Sequence, residues 1–171
     1  RQGDAMEGYF EQVVDTLCTA GYRWYETANF CLEGRRARGR DLRARHNLGY
    51  WHGYDYLGIG IGAVSTLAGT RRRNLPGLPQ YVHALAAGAA PPRELEPIDA
   101  ATSARERLLL GLRLDEPVVV ADVEHALDRG ALTRLVELEL VEVMTNGRGE
   151  ELRLTRRGRF LGGGVTAELM A

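Results

Sequence analysis

The sequence predicts an α/β segment followed by a mainly α segment, and three observations carry that reading. An amphipathic stripe precedes aromatic and glycine-interrupted apolar stretches, an Ala- and Pro-rich joint interrupts the chain near its middle, and leucine-rich periodic runs beyond it lead into short apolar alternations. The 171 residues suffice for one domain or two small ones. A hydrophobic content of 44% with no apolar run near the ~18 residues of a membrane span describes a soluble globular fold. The opening Arg1-Gln2-Gly3-Asp4 carries neither an initiator Met nor a basic and apolar signal segment, so the stretch reads as a piece of a longer cytoplasmic chain.

Met6, Tyr9, Phe10, Val13, Val14, Leu17 and Cys18 recur at helical spacing, and Gly21 follows as a C-terminal cap. That pattern places Cys18 in the core. Tyr22 to Phe30 is aromatic without helical period and reads as one strand, Cys31 to Arg45 as a long Gly- and Arg-containing loop, and Tyr56 to Thr66 as the next strand. Strands of this kind need partners, so residues 1–75 are expected to complete a partial barrel whose other strands lie outside this chain.

Residues 76–98 form a helix, with Leu78, Tyr81, Val82 and Leu85 on one face, and then the linker Ala89-Ala90-Pro91-Pro92, where a domain boundary is placed. Residues 99–171 follow as a helical domain. Thr102 or Ser103 caps a helix to about Leu112, and Ala121–Leu127 and Ala131–Leu140 form two more. Val141–Thr145 and Glu151–Thr155 flank the turn Asn146-Gly147, and Thr155 caps a final helix that Gly162, Gly163 and Gly164 should bend. Three helices and a hairpin make a winged-helix-like plan. The third helix carries Glu137 and Glu139, with Glu142 just after, against Arg134, which argues for a docking or structural module rather than nucleic-acid binding.

The net charge is −1, all 22 basic residues are Arg, and nine of them fall between Arg35 and Arg73. Such a cluster makes a local positive field suited to phosphates, propionates or an acidic partner, or else a solvated loop. Two cysteines, Cys18 and Cys31, are too few for a disulfide framework, an iron-sulfur cluster or a structural zinc site, and they suit a reducing compartment.

Two stretches exceed what packing asks for. His46-Asn47-Leu48-Gly49-Tyr50-Trp51 sets an imidazole, a carboxamide, a phenol and an indole within six residues. On the residues alone a lone His more often makes a buried hydrogen bond and Asn47 can cap a turn; the alternative, which the resemblance given below raises, is that the imidazole is an axial ligand for haem iron, with Tyr50 and Trp51 against a porphyrin face and Arg43, Arg45 or Arg71 at its propionates. His52 is a second ligand by proximity alone, while His83 and His125 are helix positions. In Leu57-Gly58-Ile59-Gly60-Ile61-Gly62, alternation puts the glycines on one strand face, where a ligand can approach the backbone or a helix can pack. Glu26 and Asn29, three apart on the aromatic strand, face opposite sides, so one of them points into the cavity of a completed barrel.

These stretches, with Tyr25-Glu26-Thr27-Ala28-Asn29-Phe30 upstream and Leu152-Arg153-Leu154-Thr155-Arg156-Arg157-Gly158-Arg159 near the end, resemble the C-terminal part of the oxygen-independent coproporphyrinogen III oxidase-like radical-SAM family. Within it they look most like the HemW-type haem-chaperone branch, from about Gly8 to Leu169. The resemblance implies haem binding at His46, Asn47, Tyr50 and Trp51, with delivery to client haemoproteins and a peripheral membrane contact. It also implies S-adenosylmethionine contacts at Gly60, Gly62, Ala63 and Val64 and a 4Fe-4S cluster for the full-length protein. The Cys-x-x-x-Cys-x-x-Cys set of that cluster is absent here, so this piece alone should be inactive and holds no catalytic or metal residues. A coproporphyrinogen oxidase is the rival within the family, and a protein- or nucleic-acid-binding winged-helix module is the rival outside it. Gly39-Arg40-Asp41-Leu42-Arg43-Ala44 departs from the family as an Arg-rich insertion.

Overall fold

The computed structural model describes residues 2–147 and 149–170, with the backbone alone at 2–7, 35 and 36. Arg1 and the side chains of Gln2, Asp4 and Met6, named above, lie outside it, as do those of Arg35 and Arg36. Contacts divide the chain into two compact units, residues 1–52 with 104–171 and residues 53–103. The expected joint at Ala89–Pro92 falls inside the second unit.

The first unit opens with α1 (Gln2–Thr19), closed by Gly21 at φ 87°, as its stripe and cap predict. The inward face is narrower than expected: Val14 is fully buried, whereas Tyr9 and Val13 are 65% and 46% exposed and Cys18 is also exposed, not in the core. Phe10, Val14 and Leu17 follow i, i+4, i+7, and Cys18 sits at the edge of that stripe, roughly 100° round the helix from Leu17. Phe10 meets Trp24 and Phe160 edge-on, each at 5.7 Å, and Trp24 stacks with Phe30 at 6.3 Å.

Tyr22 to Phe30 is not one strand but a hairpin, β1 (Tyr22–Glu26) and β2 (Asn29–Leu32), paired antiparallel with a register shift between Trp24 and Glu26. The Trp24 indole N–H donates to the Thr27 carbonyl at 3.0 Å across the turn. Cys31 therefore belongs to β2, buried against Tyr25, Leu48 and Leu114, rather than to a loop. Burial pushes its thiol pKa up, the signature of an inert thiol. A 3-10 turn at Gly34–Ala37 leads towards α2 (Arg45–Trp51), which carries the His-Asn-x-x-Tyr-Trp motif.

The second unit holds β3 (Val64–Leu67), β4 (Thr70–Asn74), α3 (Leu78–Ala86) and β5 (Arg93–Pro97), in one antiparallel sheet of order β3-β4-β5. Tyr56 to Thr66 is thus not a continuous strand. Tyr56 bridges Thr66, and the glycines between form a turn with Gly60 at φ 111° and Gly62 at φ 67°, conformations only glycine adopts cheaply. No parallel pairing occurs among the described strands.

The helix α4 (Ala100–Gly111), whose residues from 104 on belong to the first unit, starts earlier than Thr102 because Asp99 caps it, its carboxylate accepting the Thr102 N–H at 2.7 Å. Then come β6 (Val118–Val119), α5 (Val120–Val123), α6 (Arg129–Glu137), β7 (Val141–Asn146) and β8 (Gly149–Leu154). The strand order is β6-β8-β7, and Leu108, Val123, Leu135, Leu152 and Leu169 are fully buried or nearly so at the centre of this half. The short strand β6 was not anticipated: two valines give no alternation to read. Thr155 caps α7 (Arg156–Phe160) as expected, accepting the Gly158 N–H at 3.0 Å. The chain bends at Leu161 into α8 (Gly162–Leu169), whose first turn is the glycine run.

Candidate functional site

The helix α2 divides the motif between two faces. Leu48 is buried and Trp51 packs on it, beside Tyr25, Cys31 and Leu114. His46 and Tyr50, one turn apart, point outward, their rings edge-to-face at 5.0 Å and both exposed. Asn47 is half-buried between the faces. An exposed imidazole on a pinned helix is accessible to an incoming ligand.

The pinning comes from outside the motif. The Tyr25 phenol oxygen accepts the Ala44 backbone N–H at 3.1 Å, at a helix start that no side chain caps. The Arg113 guanidinium lies 4.2 Å over the Trp51 ring. Its Nη2 approaches Glu26 at 3.7 Å, and Glu26 is buried and accepts the Asn29 side-chain amide. Glu26 and Asn29 therefore face each other across the hairpin turn, not opposite sides of one strand. The structure joins them to Trp51 through Arg113, a connection that sequence reasoning missed because 62 positions separate that cation from the indole.

The neighbouring arginines are already engaged. Arg43 pairs with Asp41 at 2.8 Å and with Glu116, which raises its pKa further, and Asp41 is lowered to about 2 chiefly by its hydrogen bonds from Arg43. His52 lies 3.4 Å from Glu116, and in the other unit Arg71 lies 3.3 Å from Glu96. Of the three propionate candidates, Arg45 beside His46 is exposed and has no carboxylate partner among the described residues.

The glycine set belongs to the second unit. Gly58 N–H donates to Ser65 Oγ at 3.0 Å, Gly60 N–H to the Tyr81 hydroxyl at 2.9 Å and Gly62 N–H to the Asn74 carbonyl at 3.1 Å. The Ala63 N–H reaches the Gly60 carbonyl, and Val64 opens β3 opposite Arg73. A Cβ on Gly58 would stand 2.2 Å from the Val64 carbonyl oxygen, so close backbone approach explains that residue. The amides of these three glycines are thus engaged within the unit.

Among the described residues there is no group of three or more His, Cys, Asp or Glu able to hold a metal ion, and no helix long and apolar enough to cross a membrane. His83 lies on α3, in the second unit, and His125 in a 3-10 turn of the first.

No family model matches the chain. Over 98% of its length it is 32% identical to a protein of Mycobacterium tuberculosis named Heme chaperone HemW, covering 40% of that relative. Over 95% of its length it is 30% identical to the Heme chaperone HemW of Lactococcus lactis, covering 41%. The chain thus spans about two fifths of the curated relatives it matches. Among solved structures it matches the Escherichia coli coproporphyrinogen III oxidase HemN, described as a radical SAM enzyme, with a TM-score of 0.63 and 19% identity, over 93% of this chain and 39% of that one. The latter likeness is one of fold.

Proposed function

We propose, from its likeness to the HemW chaperones and to HemN, that the chain is a HemW/HemN-like C-terminal portion, that α2 binds haem and that the full-length protein hands it to client haemoproteins. The observation that carries this reading is the split of the motif: Leu48 and Trp51 anchor the helix while His46 and Tyr50 stand exposed on its outer face. His46 would supply the axial nitrogen, the Tyr50 ring would lie beside the porphyrin, and Arg45 would meet a propionate. Trp51 and Asn47, part-buried, act by setting the helix rather than by stacking on the ring.

S-adenosylmethionine and a 4Fe-4S cluster are proposed for the full-length protein. When bound, that pair supplies radical chemistry; the Gly60, Gly62, Ala63 and Val64 segment would offer the adenosyl group apolar contact. The role of residues 1–75 in closing a barrel, the winged-helix-like character of 99–171, and a peripheral membrane contact belong to the same proposal. A nucleic-acid role is not favoured: on α6, Arg129 is paired with Glu124 at 2.5 Å and Glu150 at 2.7 Å, and Arg134 with Glu168 at 3.2 Å, leaving little uncompensated charge for phosphates.

The test is a hemin titration followed at the Soret band. Saturable one-to-one binding that weakens in His46→Ala supports the reading, whereas binding indifferent to that substitution removes the ligand assignment and returns His46 to a structural role.

A further inference from the structure

A second site lies in the first unit, apart from the α2 outer face. A cavity of about 280 Å³ opens where α1, α4, α7 and α8 meet, with Phe10, Leu109, Leu154 and Phe160 among its walls. Its charged lining consists of two cations, Arg113 and Arg159, and among the described residues no acidic side chain lines it. An apolar cavity lined by two cations, of which Arg113 has Glu26 nearby and Arg159 has no carboxylate partner among the described residues, calls for an anion on an apolar body.

Both guanidiniums lack a full set of acceptors. Arg159 lies 3.7 Å over the Trp24 ring and donates through Nη1 to the Trp24 carbonyl at 2.7 Å, yet its buried Nη2 has no partner and no carboxylate pairs with it among the described residues. Burial pulls its pKa down to about 10, the more distant charge of Asp115 only partly offsetting this. The Nε of Arg113 is likewise buried and unpartnered, with Glu26 3.7 Å from its Nη2. Native structures seldom leave such donors without acceptors.

The glycine run supplies an independent observation. Gly162 and Gly163 line this cavity at the first turn of α8, where glycine is a poor helix former. Neither has a positive φ, and a Cβ on Gly163 would meet nothing within 4 Å, so neither conformation nor packing requires glycine there. Bare glycines leave the amide N–H groups of a helix N-terminus uncovered, which is where oxyanions bind.

We propose that this cavity binds an organic oxyanion, a carboxylate or phosphate on an aliphatic or aromatic body, gripped by Arg113, Arg159 and the first turn of α8. The apolar walls take the body and the guanidinium forks take the oxygens. The site does not depend on haem binding at α2.

Isothermal titration of the protein with octyl phosphate, octanoate and inorganic phosphate tests it, the first two arms separating phosphate from carboxylate. One-site binding of an octyl ligand is expected, about tenfold or more tighter than inorganic phosphate, and weakened about tenfold in Arg159→Gln and in Gly163→Ala. Gly163→Ala should also raise Tm, which separates lost binding from lost fold. Absence of saturable binding by both octyl ligands, affinity unchanged in Gly163→Ala and Arg159→Gln, or inorganic phosphate binding as tightly as octyl phosphate would overturn the proposal.

Discussion

The phenol oxygen of Tyr25 accepts the backbone N–H of Ala44 at 3.1 Å, and through that bond β1 sets where α2 begins. Ala44 is the N-cap residue, its carbonyl accepts the Leu48 N–H at 3.0 Å, and Leu48 packs back on Tyr25. One buried aromatic therefore serves as both floor and latch for the helix that presents His46.

Tyr25→Phe keeps the floor and removes the latch. It should cost about 1–2 kcal/mol, because the Ala44 N–H loses its acceptor, and it should speed amide exchange in α2 more than in α6. Denaturant unfolding with site-resolved hydrogen exchange checks both; equal loss of protection in the two helices would contradict the latch.

Removing the cation over Trp51 should hurt twice. Arg113→Met loses the stacking on the indole and leaves the buried Glu26 without its counter-charge, for a total of roughly 1–3 kcal/mol. Glu26→Gln in the Arg113→Met background should recover part of that, since a neutral amide still accepts from Asn29 and needs no cation. A double-mutant cycle reads the coupling, and additive losses would argue that Arg113 and Glu26 act independently.

The segment before α2 should loosen in acid. The Asp41 carboxyl is held at about 2 by hydrogen bonds from Arg43, against an ordinary 3.8. A depressed carboxyl pKa contributes stability above the unfolded value and loses it as pH falls through the folded one, so the loss runs from about pH 4 to 2. Proteolysis or exchange at residues 38–44 across that window should rise in the native protein and change less in Asp41→Asn, which lacks the titrating group.

Two glycines separate steric need from other uses. A Cβ on Gly158 would stand 1.8 Å from the Leu140 carbonyl oxygen, so Gly158→Ala should cost about 3 kcal/mol or more. Gly163→Ala, with open space around it, should instead stabilise by roughly 0.5–1 kcal/mol. Thermal unfolding of the two variants checks the contrast, and shifts of the same sign would contradict it.

Much of the second half was legible because its signals are local: Thr155 caps α7, and leucines recur at helical spacing. The hairpin was hidden because Thr27-Ala28 carries no Gly, Asn or Pro turn signal, so β1 and β2 read as one run. The glycine segment misled in the opposite way. Alternation imitates a strand, and a positive φ at Gly60 and Gly62 has no period to betray it. Within the site, His46 and Trp51 stand out as residue types, but Tyr25 and Arg113 support them through tertiary contacts that no spacing rule encodes.

The central claim is that the exposed His46 imidazole ligates haem iron, and chemical rescue tests it most directly. The Soret spectrum of hemin-loaded protein should shift in His46→Gly and return towards the native form when free imidazole is added. A His46→Gly spectrum identical to the native one, before any imidazole, would contradict the account.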